Sequence, residues 1–271
     1  MGASFDAALL KKLIAHAVRV VRDVPLETNP FPHVLVRGIW PADEYGRLLE
    51  MFPPLKLYEP FAYEKHKTSD GDSNRRRFQM SNAWLDRLSG ETRTFWYSIR
   101  SALGSHELKN AIFEKLAPGL SHRYGVSPQA AQGLPGFALP ELFHETQGYS
   151  IKPHPDTRKK VVTMQIALAA DDSQEALGTE FYRRSMNPKA WLREPRGFEV
   201  VKCMPFLPNT AYAFSVLNTL TIKSWHGRTA IPGQLGVRNS MLNIWYERAE
   251  NANLELVAEW NEISAASGKA A

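Results

Sequence analysis

Three residues in the sequence could together bind a metal ion. His154 and Asp156 are two residues apart beside a β-rich run, and in an extended chain such residues point to the same side. A second histidine, His226, lies 70 residues after Asp156. Two imidazoles and one carboxylate on one face of an octahedron leave three positions open, which suits non-haem Fe(II) working with O₂. The same residues could also form a structural cluster without metal, or bind a structural zinc ion.

A candidate carboxylate-binding pair follows the distal histidine. Arg238 lies twelve residues after His226, and Ser240 comes two residues later at the end of the β-rich part of the chain. On one face of a strand the two would offer a guanidinium fork and a hydroxyl to a carboxylate. Arg238 could instead be an ordinary salt-bridge partner. The order and spacing of both groups together are more specific than either motif alone.

Composition limits the kinds of site and partner that this chain can have. The single cysteine, Cys203, excludes an intramolecular disulfide and a multi-cysteine zinc site, so a metal site here needs His and carboxylate ligands. The 33 Lys and Arg exceed the 28 Asp and Glu by five, which fits a nucleic-acid partner, an acidic substrate or simple solubility. No segment approaches the ~20 apolar residues of a membrane span, and we expect a cytoplasmic protein.

The second half of the chain is rich in predicted strands. Short β-rich runs separated by turn residues are typical of a sandwich or barrel rather than of a βαβ sheet. The predicted strands are Phe137–Glu145, Tyr149–Pro153, Val161–Leu168, Glu180–Tyr182, Phe198–Cys203, Ala211–Phe214 and Val237–Tyr246. Residues 133–248 should therefore form a β-core.

The first half reads as helices and loops in front of that core. Helices are expected at 4–22, 41–51, 91–103 and 105–117, with a short edge strand at 32–37. Residues 64–78 are charged and lack periodicity, which indicates a loop. Residues 1–132 would then be a helical, substrate-side region of one domain spanning 1–271, and residues 262–271 a flexible tail.

The motifs resemble those of the Fe(II)/2-oxoglutarate-dependent oxygenases, particularly the prolyl-hydroxylase-like branch. The resemblance covers roughly residues 29–248, and its specific motifs lie within 144–246. The matching stretches are Asn29–Val34 through Phe52–Pro53, Gly148–Asp156, Leu177–Phe181, Asn209–Phe214 and Ser224–Tyr246. Many relatives have a tyrosine where this chain has His144, which could make the same hydrogen bond to 2-oxoglutarate or merely pack.

The resemblance implies a fold, a cofactor set and an activity. The fold would be mainly β with α, a double-stranded β-helix (jelly-roll) core with an N-terminal helical layer. His154, Asp156 and His226 would hold Fe(II), while Arg238 and Ser240 would bind the far carboxylate of 2-oxoglutarate. The enzyme would use O₂ to hydroxylate an unactivated C–H bond, releasing succinate and CO₂. Halogenases of this family have a small residue at the position of Asp156, so the presence of Asp156 favours oxygen transfer.

The substrate and two other functional classes stay open. A small-molecule or amino-acid-like substrate is expected, and Arg75 and Arg77 in the charged segment could bind a carboxylate or phosphate on it. An oxidative nucleic-acid demethylase of the same fold is disfavoured, because the Arg-x-Asn-x-Thr-x-Arg pattern of those relatives is missing after Arg238. A non-catalytic or cupin-type jelly-roll metal-binding protein is the other alternative, and Arg238 and Ser240 argue against it. Desaturation or cyclisation could replace hydroxylation, and the oligomeric state is not predicted.

Overall fold

The computed structural model describes residues 5–61, 68 and 72–268. Its α-helices are α1 (Ala7–Asp23), α2 (Ala42–Glu50), α3 (Asn82–Leu85), α4 (Gly90–Gly104), α5 (His106–Lys115), α6 (Ala117–Tyr124), α7 (Pro128–Gln132) and α8 (Leu254–Gly268). Within the described residues, none of these helices combines the length and apolar content that a bilayer span requires.

The first helix shows why the N-terminal region is helical. Asp6 caps α1, since its carboxylate accepts hydrogen bonds from the backbone N–H groups of Ala8 and Leu9. The apolar residues recur at helical spacing and form one buried face of the helix: Leu9, Leu10, Leu13, Ala17 and Val21. This face packs into the large apolar cluster between the helices and the sheet.

Two antiparallel sheets contain the strands. These are β1 (His33–Arg37), β2 (Glu59–Pro60), β3 (Arg75–Gln79), β4 (Phe137–Glu145), β5 (Ile151–His154), β6 (Lys160–Ala167), β7 (Thr179–Arg184), β8 (Phe198–Met204), β9 (Thr210–Ser215), β10 (His226–Arg228) and β11 (Arg238–Tyr246). The larger sheet has the order β1-β9-β6-β11-β4-β3-β2, and the smaller has the order β5-β10-β7-β8.

The chain winds between the two sheets from β4 to β11. β4, β6, β9 and β11 lie in the larger sheet, whereas β5, β7, β8 and β10 lie in the smaller one. Among the described strands from β4 to β11, only β7 and β8 are consecutive strands that pair with each other. This alternation is the topology of a double-stranded β-helix, so the expected jelly-roll core with an added helical layer is confirmed.

The protein has three layers. Helices α1, α4 and α5 pack in one apolar cluster with residues of β4, β6, β9 and β11. The opposite face of the larger sheet meets the smaller sheet, where Phe181 of β7 contacts Tyr212 and Phe214 of β9 with ring centroids 5.7 Å apart in each pair. The inner faces of the two sheets therefore enclose the space in which a site can form.

The charged segment 64–78, predicted as a loop, is partly a strand. Arg75 and Arg77 belong to β3, which pairs with β4 so that Arg75 lies opposite Glu145. The strand lacks an apolar alternation because two of its inward side chains are arginines, while Phe78 is buried on the other face. Residues 62–67 and 69–71 lie outside the described residues. Within residues 1–132, β1 corresponds to the edge strand expected at 32–37, and β2 and β3 are further strands of the larger sheet.

Two helix boundaries also differ from the predictions. The predicted helix 105–117 ends at Lys115, and Pro118 lies in the first turn of α6, a position where proline loses no hydrogen bond. The expected flexible tail from residue 262 is helical as far as Gly268 in α8. That helix is held by Leu256 and Trp260, which are buried in the main apolar cluster.

Candidate metal centre

Adjacent strands bring the two candidate histidines together. His154 ends β5 and His226 begins β10, and the two residues are direct partners in the antiparallel pairing. Their ring centroids are 4.4 Å apart. Asp156 lies two residues beyond β5, with Oδ2 at 3.7 Å from His226 Nε2. One ligand atom from each of the three residues falls within 4.8 Å of the others, so the three can hold one metal ion.

Hydrogen bonds orient the ligand atoms. His154 Nδ1 lies 3.0 Å from the carbonyl of Lys152, and His226 Nδ1 lies 2.9 Å from the carbonyl of Ser224. A carbonyl can only accept, so we assign the proton to Nδ1 in both rings, which leaves the lone pair on Nε2. Asp156 accepts hydrogen bonds from Lys160 Nζ at 2.5 Å and from Thr163 Oγ1 at 2.7 Å.

The charge states of the buried ligands suit metal binding. Burial lowers the pKa of His226 to about 4, with Asp156 acting in the opposite direction, so the imidazole is neutral at neutral pH. For Asp156, burial raises the pKa, but His226, Lys160 and the hydrogen bonds outweigh it and hold the pKa well below its usual range. A neutral imidazole and an ionised carboxylate are the forms that bind a divalent ion.

The three ligands line a cavity of about 360 Å³ between the two sheets. Its walls are rich in positive charge, and the basic residues that line it are Arg75, Arg77, Lys160, Arg228 and Arg238. Its acidic lining residues are Asp156, Glu141 and Glu145. A bound divalent ion would add two further positive charges, so this cavity favours an anionic occupant.

Arg238 and Ser240 lie on one inward face of β11 but have different access to the cavity. Arg238 lines the cavity and is 2% exposed, whereas Ser240 is fully buried behind Gln165 and does not line it. Gln165 joins them, because its Nε2 donates to Ser240 Oγ at 3.1 Å and its Oε1 accepts from Arg238 Nη2 at 2.8 Å. Ser240 therefore contacts the cavity only through this amide.

Arg75 and Arg77 also line the cavity, each beside a protein carboxylate. Arg75 Nε forms an ion pair with Glu145 at 3.0 Å, and its guanidinium lies 4.1 Å from the centre of the Phe143 ring. Arg77 Nη1 donates to Glu141 Oε1 at 3.2 Å. Both side chains therefore line the same cavity as the candidate metal ligands, with part of their charge already compensated.

His144 points away from the cavity. It alternates along β4 with Phe143 and Glu145, which line the cavity, and it is absent from the lining. Its Nδ1 is 2.9 Å from Asn239 Oδ1, and its ring contacts Tyr58. Of the two roles considered for His144, the structure places the side chain where it packs.

The sequence did not reveal a set of buried polar residues that line the cavity around Arg238: Glu145, Gln165, Thr179, Tyr212 and Arg228. Tyr212 OH donates toward Gln165 Oε1 at 2.6 Å, and Thr179 Oγ1 lies 3.0 Å from the same oxygen. Arg228 could have been found, because it follows His226 by two residues in a strand. The others are polar residues at strand positions that are otherwise apolar, which is the available signal.

Comparisons with known proteins give similarity in fold only. No protein-family model matches the sequence, and no curated protein matches it significantly. A Pseudomonas putida prolyl-4-hydroxylase superposes with a TM-score of 0.48 and 13% identity, covering 87% of this chain and 99% of its own.

Two further solved structures are similar to a comparable degree. The non-haem α-ketoglutarate-dependent epimerase SnoN from nogalamycin biosynthesis has a TM-score of 0.44 and 15% identity, covering 89% of this chain and 84% of its own. EctD from S. alaskensis, solved with 2-oxoglutarate and 5-hydroxyectoine, has a TM-score of 0.44 and 12% identity, with coverages of 90% and 77%. At such identities the chemistry has to be inferred from the site residues themselves.

Proposed function

We propose that this chain is a cytoplasmic Fe(II)- and 2-oxoglutarate-dependent dioxygenase that hydroxylates a C–H bond of a small-molecule or amino-acid-like substrate. The observation that carries the proposal is the clustering of His154, Asp156 and His226 in a cavity that Arg238 also lines. Two imidazoles and one carboxylate fit Fe(II) and leave coordination positions for a 2-oxo acid and O₂. Buried guanidinium groups nearby fit the second carboxylate of such an acid.

Each part of the cavity has a separate task in this proposal. When bound, Fe(II), 2-oxoglutarate and O₂ supply the oxidising chemistry and yield succinate and CO₂. His154, Asp156 and His226 would hold the metal, and Thr163 keeps the Asp156 carboxylate oriented. Arg238 supplies positive charge for the second carboxylate of 2-oxoglutarate, and the end of the cavity at Arg238 is called the cosubstrate end. Ser240 holds Gln165, which in turn accepts a hydrogen bond from Arg238.

The lining also supports an acidic substrate. Arg75 and Arg77 are on β3, and both side chains remain partly exposed at the cavity. Phe143 and Tyr149 in the same wall are buried and would keep water away from the reacting C–H bond. We therefore propose a substrate with a carboxylate or phosphate group that Arg75 and Arg77 would attract.

Succinate release tests the activity. Purified protein supplied with Fe(II), O₂ and 2-oxoglutarate should release succinate, and a screen of acidic small molecules should find compounds that increase the release. His154→Ala and Asp156→Ala should each lower it at least 100-fold, because each removes a metal ligand. Asp172→Ala, an exposed carboxylate outside the cavity, is the matched control and should behave like wild type. Unchanged turnover in either ligand variant would contradict the proposal.

A further inference from the structure

Arg228 is a buried arginine with open hydrogen-bonding capacity. It lies two residues after His226 on β10, lines the cavity and is only 5% exposed. Its Nη1 donates to the carbonyl of Gly178 at 2.7 Å. Its Nε is buried and has no hydrogen-bond partner among the described residues, and none of the ion pairs found there involves Arg228. A buried charged donor without an acceptor is costly, which points to a ligand that completes it.

Arg238, by contrast, is almost fully occupied by protein groups. Its Nε donates to the carbonyl of Leu177 at 2.8 Å, and its Nη2 donates to Gln165 at 2.8 Å and to Thr179 at 3.4 Å. Its Nη1 donates to the Glu145 carboxylate, which is 1% exposed. The protein itself therefore provides the carboxylate partner of Arg238.

The two guanidinium groups lie at the same end of the cavity. They bind the carbonyls of consecutive residues, Leu177 for Arg238 and Gly178 for Arg228. The guanidinium of an arginine is always charged at neutral pH, so Arg228 carries a positive charge there. A second positive charge thus stands beside Arg238 without a carboxylate of its own among the described residues.

We propose that Arg228 is a second carboxylate-binding residue at the end of the cavity where Arg238 lies. Arg238 donates its Nη1 to Glu145, and Arg228 donates to the carboxylate of the ligand in its place. The inference rests on the proposed function. The Nε edge of a guanidinium presents two parallel N–H groups to a carboxylate, and in Arg228 the protein bonds the opposite corner, Nη1. The distal carboxylate of 2-oxoglutarate is the group that this edge would bind.

Two ligands that differ only at that carboxylate test the role of Arg228. In 2-oxopentanoate a methyl group replaces the distal carboxylate of 2-oxoglutarate, while the metal-chelating end is identical. Binding of each acid to Mn(II)-loaded protein is measured by calorimetry, which requires no turnover. Wild type should prefer 2-oxoglutarate. Arg228→Gln should weaken binding of 2-oxoglutarate about 10- to 100-fold and change that of 2-oxopentanoate less than about threefold, so the preference disappears.

Three comparisons separate the possible failures. Arg183→Gln, an exposed arginine on the neighbouring strand β7, is the matched control and should keep the wild-type preference. Arg228→Lys keeps a charge without the two-donor edge and should lose most of the preference, which covers the case in which Arg228→Gln does not fold. A wild-type preference retained in either Arg228 variant, or none in wild type, overturns the role of Arg228. Wild type that binds neither acid overturns the proposed function instead.

Discussion

At the scale of single residues, the Glu145 carboxylate compensates the positive charge of two arginines that line the cavity. This carboxylate is almost completely buried and contacts Arg238 on one side and Arg75 on the other. Two arginines from different strands thus share one counter-charge. Removing one partner of such a group leaves buried charge without compensation, which costs far more than the loss of an exposed ion pair.

We therefore expect Glu145→Gln to destabilise the protein strongly. The free energy of unfolding should fall by about 3–5 kcal/mol, measured by urea denaturation at neutral pH. Glu199→Gln is the matched control, because Glu199 pairs with Arg183 on the surface, and it should cost at most about 1 kcal/mol. Equal losses in the two variants would show that the buried group contributes no more than a surface pair.

At the scale of elements, the pairing of β5 with β10 determines the distance between the two histidines. Gly227 lies between His226 and Arg228, where the strands approach closely. A Cβ atom there would be 2.6 Å from the carbonyl oxygen of Ile151 and 3.1 Å from the backbone of Lys152. Because both contacts are to backbone, no side-chain movement can relieve them, and only glycine fits.

Gly227→Ala should therefore damage the metal site through the backbone. Separation of β10 from β5 moves His226 away from its partner His154, and we expect the affinity for Mn(II) or Co(II) to fall at least about tenfold. Gly46→Ala in α2 is the control, since a Cβ there meets nothing within 4 Å. It should leave metal affinity unchanged and raise stability by about 0.5–1 kcal/mol. Wild-type metal affinity in Gly227→Ala would contradict this explanation.

The same elements show which features a sequence can predict. Seven of the eight strands from β4 to β11 follow from short apolar runs between turn residues; the exception is β10, which is three residues long and contains no apolar run. The candidate metal ligands follow from residue type and from the His-x-Asp spacing. β3 could not be predicted, because it depends on pairing with β4 and on ion pairs of Arg75 and Arg77 with residues about 64 to 70 positions away. Such contacts leave no local pattern.

At the scale of the whole molecule, part of the charge surplus lies in the cavity. The chain has five more basic than acidic residues, and the cavity alone is lined by five basic and three acidic side chains. The spacing after His226 predicts that Arg238 offers its guanidinium to a carboxylate. It could not predict that Glu145, 93 residues away, binds Arg238, because partner choice depends on the packing of β11 against β4.

Burial of histidines is also distributed over the whole molecule. His33 lies in β1, His144 in β4 and His226 in β10, and burial lowers the pKa of all three. The folded state therefore favours their neutral forms. In the unfolded chain each histidine titrates near its ordinary pKa of about 6.5, so the unfolded state takes up protons first as the pH falls.

The metal-free protein should therefore lose stability as the pH falls from 7.5 to 5.5. Below about pH 6.5, each buried histidine that stays neutral contributes a loss of up to about 1.4 kcal/mol per pH unit, until the pH reaches its folded-state pKa. Urea denaturation at several pH values measures the slope.

His33→Gln should reduce the slope, because it removes one of these groups, whereas the exposed His122→Gln should retain it. Burial also raises the pKa of Glu141. Because wild type and both histidine variants contain Glu141, the difference between the slopes of wild type and His33→Gln reports the contribution of His33. Identical slopes in His33→Gln and wild type would mean that burial of His33 leaves its proton affinity unchanged.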